Sequence, residues 1–283
     1  MKLIECPRDA MQGLEEFIPT EKKAAYINQL LKVGFDTIDF GSFVSPKAIP
    51  QLRDTADVLK QLDLSHTKSK LLAIVANTRG AQDAIVYNEI AYIGFPLSIS
   101  ETFQQRNTNK SIAEAMATVS EIQNLCKKSN KTLVTYISMG FGNPYNDPYD
   151  VGIVEKFTAD LASIGIEIIS LADTIGVSQP DQIKYLFETL IAKFPKIEFG
   201  AHLHSSPVKS IEKIEAAFLS GCQRFDGAIK GFGGCPMAED ELVGNLATET
   251  ILHYLSGKGA LPELNQEEFA KALLLADSVF PQY

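Results

Sequence analysis

Cysteine is scarce in this chain. Cys6, Cys126, Cys222 and Cys235 are spread through 283 residues with no CxxC pair and no dense framework. Disulfide stapling and a structural zinc site are both poor fits to that spacing, and a reducing, cytoplasmic setting follows. A basic excess is also missing: 26 Lys+Arg stand against 35 Asp+Glu, a formal charge of −9. Without a basic face to displace counterions, general affinity for nucleic acid or an anionic membrane is excluded, although a local basic pocket is not. No apolar run approaches the roughly 20 residues needed to span a bilayer. The first residues, MKLIECPRDAMQG, enter a strand-like run at once, with neither a secretory apolar region nor an Arg-rich transit pattern. Low-complexity tracts, linkers and composition steps are lacking too, so residues 1–283 read as one domain.

What the chain does have is alternation. Short β-rich apolar runs fall at Lys2 to Cys6, Phe35 to Gly41, Lys70 to Asn77, Ile90 to Leu97, Thr132 to Met139, Glu167 to Asp173, Ile197 to His204 and Arg224 to Lys230. Amphipathic stretches separate them, at Thr20 to Val33, Ile49 to Gln61, Arg79 to Tyr87, Ser111 to Ser129, Tyr149 to Ile164, Ser178 to Phe194, Val208 to Ser220 and Ala238 to Ser256. Strands that alternate with helices must be parallel, because each return crossover needs a helix's worth of chain. Eight such units in 283 residues predict an α/β fold, a single (β/α)8 TIM barrel, with an extra C-terminal helix from Asn265 to Ser278 on its outside or across one end. An apolar outer helix face would accommodate a homodimer.

In such a barrel the chemistry belongs at the C-terminal strand ends. Those ends carry Arg8 and Asp9, Asp39, Asn77, a polar loop with Glu101, Ser138, Asp173, His202 with His204, and a Gly-rich loop after Lys230. His202 and His204 are two of only four histidines, and their i, i+2 spacing points both rings to one face. They read either as a pair sharing a metal ion or as a polar strand exit. His66 and His253 lie in a polar linker and on a helix and carry no such signal. Arg8 beside Asp9 offers a permanent cation for an oxyanion and a carboxylate for a metal, though both are also common turn residues. Asp39, alone in an apolar strand, must be paired there. Gly231 to Pro236 reads as a closing loop that presents the Cys235 thiol, or as an amide-rich phosphate turn. Asp173, ahead of a Gly turn, could orient a base or simply open a helix.

Taken together, PRDxxQ at Pro7 to Gln12, SFVSPK at Ser42 to Lys47, DTIGV at Asp173 to Val177, HxH at His202 to His204, GxGGCP at Gly231 to Pro236 and GNLATE at Gly244 to Glu249 resemble the 3-hydroxy-3-methylglutaryl-CoA lyase family. The resemblance runs in order along essentially the whole chain. It implies a TIM-barrel metallolyase in which Asp9, His202, His204 and Asn245 bind a divalent cation, Mg2+ or Mn2+. It also implies a CoA-thioester substrate cleaved by retro-Claisen chemistry. Arg8 would hold the enolate oxygen, Cys235 would act as acid toward the carbanion, and Asp173 and His202 would serve the proton transfer. Three positions depart from the family pattern. Ser205 follows the second histidine where Asp is usual, Asp39 stands for a Glu, and PRDA replaces PRDG. Lys47, Arg106 and Lys110 are candidates for CoA phosphates. Two other readings remain open: a synthase of the same group, and a barrel that binds a ligand without turnover.

Overall fold

The structure, a computed structural model, describes residues 1–234 and 243–280. Eight parallel strands follow one another in chain order around a closed barrel. They are β1 (Lys2–Glu5), β2 (Thr37–Ser42), β3 (Lys70–Ile74), β4 (Ile90–Ser98), β5 (Thr132–Ser138), β6 (Ile168–Asp173), β7 (Glu198–Leu203) and β8 (Arg224–Gly227). Closure pairs Ile4 with Asp226 and Glu5 with Gly227, so the first and last strands share one register. The helices are α1 (Pro7–Gln12), α2 (Thr20–Val33), α3 (Thr55–Leu59), α4 (Thr78–Ile85), α5 (Glu101–Thr108), α6 (Ile112–Lys128), α7 (Val151–Ser163), α8 (Pro180–Lys193), α9 (Pro207–Leu219), α10 (Thr248–Gly257) and α11 (Gln266–Val279). The eightfold strand pattern read from the sequence is therefore the architecture, and α11 packs outside against α2 through Tyr26 on Phe280 and Gln29 on Glu268.

Alternate residues of β3 to β6 serve two separate apolar clusters. Leu72, Ile74, Tyr92, Val134, Tyr136 and Ile168 fill the barrel interior, while Leu71, Ala73, Ile93, Phe95 and Leu133 join the larger core beneath the helices. Strands buried on both faces in this way have no polar side to show, which is why they read as unbroken apolar runs.

Several boundaries differ from the sequence reading. PRDAMQ forms a short helix instead of a turn, opened by Pro7 at its first position, where the missing N–H costs nothing. The polar loop at Glu101 is also helical, because the Ser100 hydroxyl caps the Phe103 N–H. Glu101 itself leaves the strand-end ring and accepts from the Ile112 N–H. The helix expected from Ile49 to Gln61 is a 3-10 turn at Pro50–Leu52 followed by α3. The helix expected from Ala238 begins only at Thr248. Its predicted start lies outside the described residues, and the chain just before α10 is extended, with Asn245 bridged to His204 and Ala247 to Ala228.

Candidate metal centre

Two histidines leave the end of β7 with their rings in the barrel mouth. Their Nε2 atoms lie 3.4 Å apart. Each ring is held from behind through Nδ1: His202 by the Asp226 carboxylate at 3.1 Å, His204 by the Val243 carbonyl at 2.8 Å. A carbonyl or carboxylate only accepts, so each Nδ1 carries the proton and each Nε2 presents its lone pair. Asp9, carried across the mouth by α1, completes the group. One ligand atom from each of Asp9, His202 and His204 falls within 4.8 Å of the others, and all three residues are buried. Two imidazole nitrogens and a carboxylate oxygen are a donor set that suits a divalent transition metal or Mg2+.

Arg8 anchors the acidic side. Its Nε and Nη2 form a fork on Asp39, with Nη2 to Oδ2 at 2.5 Å. Its Nη1 donates to Asp9 Oδ1 at 2.8 Å and to Gln12 Oε1 at 2.9 Å. The lone acid of β2 thus has the partner its burial demanded. Burial by itself would lower the Arg8 pKa, but the charges of Asp39 and Asp9 raise it above its ordinary value. Burial would likewise raise Asp9, yet Arg8 and then the two histidines hold its carboxyl well below the usual range. Asn245 donates its amide nitrogen to Asp9 Oδ2 at 2.7 Å and to the Phe232 carbonyl. For His202, burial opposes the charged ring while the Asp226 hydrogen bond and charge raise its pKa. His204 is lowered by burial and by its neighbour His202.

The cluster forms one wall of a cavity of about 400 Å3. Ile74, Pro96 and Tyr136 give it an apolar floor, and Arg106 and Lys110 line its rim. Arg106 stacks over Tyr145 at 4.7 Å, and Lys110 reaches Thr118 Oγ1 at 2.6 Å. Lys47 is exposed and outside this lining. Ser138 and Asn77 line the cavity, Asn77 also capping α4.

Asp173 is not brought to the cluster. Its neighbours Ala172 and Thr174 face the cavity, while its own carboxylate accepts from the Val177 and Ser178 N–H groups, the Ser178 hydroxyl and the Lys213 ammonium at 2.7 Å. Lys213 also donates to the Gly176 and His204 carbonyls, tying the ends of β6 and β7 to α9. Three of those bonds fall on Oδ2 and one on Oδ1, so the structure pairs Asp173 with Lys213, and the carboxylate expected to serve the proton transfer stands outside the Asp9, His202 and His204 group. Cys235 lies outside the described residues. Asp226 and Lys213 went unnoticed in the sequence; the period of two that places Asp226 on the lumen face of β8 was the available signal for the first.

The fold and site define a (β/α)8 barrel with a buried, metal-competent Asp-His-His cluster at its C-terminal mouth. The chain belongs to the HMGL-like family, which it matches over residues 3–275. It is 37% identical to the hydroxymethylglutaryl-CoA lyase YngG of Bacillus subtilis over 251 residues, 88% of this chain and 82% of that one. It is 32% identical over 262 residues to the cytoplasmic 3-hydroxy-3-methylglutaryl-CoA lyase of Rattus norvegicus, covering 92% and 75%. Among solved structures, an HMG-CoA lyase from Acinetobacter baumannii in complex with coenzyme A and 3-methylmalate superimposes with a TM-score of 0.91 at 28% identity, over 99% of this chain and 90% of that one. The Bacillus subtilis HMG-CoA lyase gives 0.90 at 34%, covering 98% and 92%.

Proposed function

We propose that this chain is a divalent-cation-dependent lyase that cleaves 3-hydroxy-3-methylglutaryl-CoA, or a closely related 3-hydroxyacyl-CoA, to acetyl-CoA and acetoacetate by retro-Claisen chemistry. The observation that carries the reading is the Asp9, His202 and His204 cluster standing beside Arg8 in the wall of one cavity. Asp9, His202 and His204 would hold Mg2+ or Mn2+. Asn245, whose amide nitrogen is spent on Asp9 and Phe232, would add its oxygen. When bound, the cation supplies Lewis acidity that makes the substrate's tertiary hydroxyl easier to deprotonate at neutral pH.

Arg8 uses four of its five N–H groups on Asp39, Asp9 and Gln12, which leaves one Nη2 hydrogen for the enolate oxygen of the departing acetyl-CoA. Held this way the guanidinium is placed before the charge develops. A ring whose Nδ1 proton is given to Asp226 and whose Nε2 faces the cation has no nitrogen left for the hydroxyl proton, so we assign His202 to the metal. Cys235 would return a proton to the carbanion carbon. The apolar floor would take the acyl chain, and Arg106 and Lys110 at the rim would meet the CoA phosphates. Support for the thioester comes from the coenzyme A held by the Acinetobacter baumannii relative.

The test is a product assay. With Mg2+ or Mn2+ the purified protein should release acetoacetate and acetyl-CoA from the HMG thioester, and EDTA should stop it. Metal-loaded protein that leaves this thioester intact yet cleaves another member of a 3-hydroxyacyl-CoA panel would refute the substrate and keep the reaction class.

A further inference from the structure

Behind His202 the barrel interior carries a charged pair that the reaction as described does not use. Asp226 is 1% exposed, and one of its oxygens accepts from His202 Nδ1. The other, Oδ1, has no hydrogen-bond partner among the described residues. Arg224, two residues earlier on the same face of β8, is fully buried and supplies the opposite charge. Its Nη1 reaches Glu198 at 3.4 Å, while Nε and Nη2 likewise lack a partner. A Cβ at Gly200 would come within 3.0 Å of both Arg224 Cδ and Ser170 Oγ, so a bare glycine on β7 gives the guanidinium its room.

A buried carboxylate is expensive unless it is well bonded. Asp226 makes one hydrogen bond to the protein, and that bond goes to a candidate metal ligand. Arg224 balances its charge without a hydrogen bond to it among the described residues, so the one directional contact of the carboxylate is to His202. Tyr136 stands edge-on to the His202 ring at 5.5 Å and limits its swing, but an edge contact cannot choose between the two ring nitrogens. The Asp226 carboxylate can.

We propose that Asp226 is a positioning residue: by accepting the Nδ1 proton of His202 it fixes the tautomer and ring orientation in which the Nε2 lone pair meets Asp9 and His204. Cys6, His202 and Asp226 also bring ligand atoms within 4.8 Å of one another, and keeping Nδ1 occupied confines a cation to the mouth-facing nitrogen. The inference rests on the cation reading of the cluster given above.

Two measurements on the intact protein test it. With only four histidines in the chain, nitrogen-proton correlation spectra of histidine-labelled protein can assign the His202 tautomer without any metal. Wild type should show a proton on Nδ1, and Asp226→Ala should lose that preference. In parallel, Mn2+ titration followed by EPR should show affinity falling about 10- to 100-fold in Asp226→Ala. Asp226→Asn, whose amide oxygen still accepts, should keep the tautomer and bind with intermediate affinity. An unchanged tautomer together with Mn2+ affinity within about twofold of wild type in Asp226→Ala would overturn the proposal, and a fall in thermal midpoint with both readouts spared would mark Asp226 as purely structural. If Asp226→Ala does not fold, Asp226→Asn decides: affinity weakened by about threefold or more supports the proposal, and unchanged affinity refutes it, since a neutral acceptor binds an N–H less strongly than a carboxylate. Wild type that shows the Nδ1 proton but binds no Mn2+ would sink the cation reading while the tautomer comparison still judges Asp226.

Discussion

Glu5 ends β1 with its side chain sealed between the barrel and α10. Its two oxygens accept from the Ile229 N–H at 2.9 Å and the Thr248 hydroxyl at 2.6 Å. Burial outweighs those bonds and pushes its pKa up to about 8, from an ordinary 4.5. The folded protein therefore keeps a proton that the unfolded chain gives up between pH 4.5 and 8, and stability falls as pH rises through that window. Glu5→Gln removes the titration and preserves the shape. We expect its midpoint of urea unfolding to exceed that of wild type at pH 8, by a few kcal/mol in stability, with the gap closing by pH 5. Parallel curves at the two pH values would show that Glu5 titrates normally. Legibility at this scale depended on sequence distance. Arg8 with Asp9, and His202 with His204, announced themselves because the groups that work together are neighbours in the chain. Asp226 and Lys213 act on partners 24 and 40 residues away, and only the folded barrel brings them there. The pairing of Asp173 was hidden for the same reason, since the ammonium that bonds it arrives from α9.

At the scale of elements, that ammonium is a bolt between β6, β7 and α9. Lys213 is 0% exposed and bonds three acceptors at 2.7 to 3.0 Å. Lys213→Met leaves Asp173 charged, buried and unpaired, and should destabilise the protein by about 3–5 kcal/mol. The double change with Asp173→Asn should cost less than the sum of the single changes. Urea titrations of the four proteins give the comparison, and a loss below about 1 kcal/mol for Lys213→Met would remove the bolt. Strands were the most readable elements, because burial on both faces makes most of each one a run of β-branched and aromatic residues, and the few charges inside, such as Asp39, stand out against it. The long helices were readable from their apolar stripes. α1 and α5 were not: PRDAMQ and ETFQQRNT have no stripe to read, and a proline start and a serine cap hold them instead. The segment before α10 looked helical by composition, yet β-type bridges to Ala228 and His204 keep it extended and so deliver Asn245 to Asp9.

For the whole molecule, the closed barrel brings α1, which follows β1, beside the end of β7 in one cluster, so a cation bound there would cross-link α1 to the end of β7. Mn2+ at about 100 times its Kd should add about 2.7 kcal/mol to the folded state. That corresponds to a midpoint roughly 5 to 10 °C above the EDTA-treated protein, read by thermal unfolding. Equal midpoints would mean that no ion is held at these concentrations. The same closure has a consequence for biosynthesis. Asp9 and Asn245, bonded at 2.7 Å, are 236 residues apart in the chain. A ribosome must therefore release almost the entire barrel before Asp9 meets Asn245. Until that moment the two ends of the chain are strangers, and the Asp9–Asn245 bond forms only once the fold is finished.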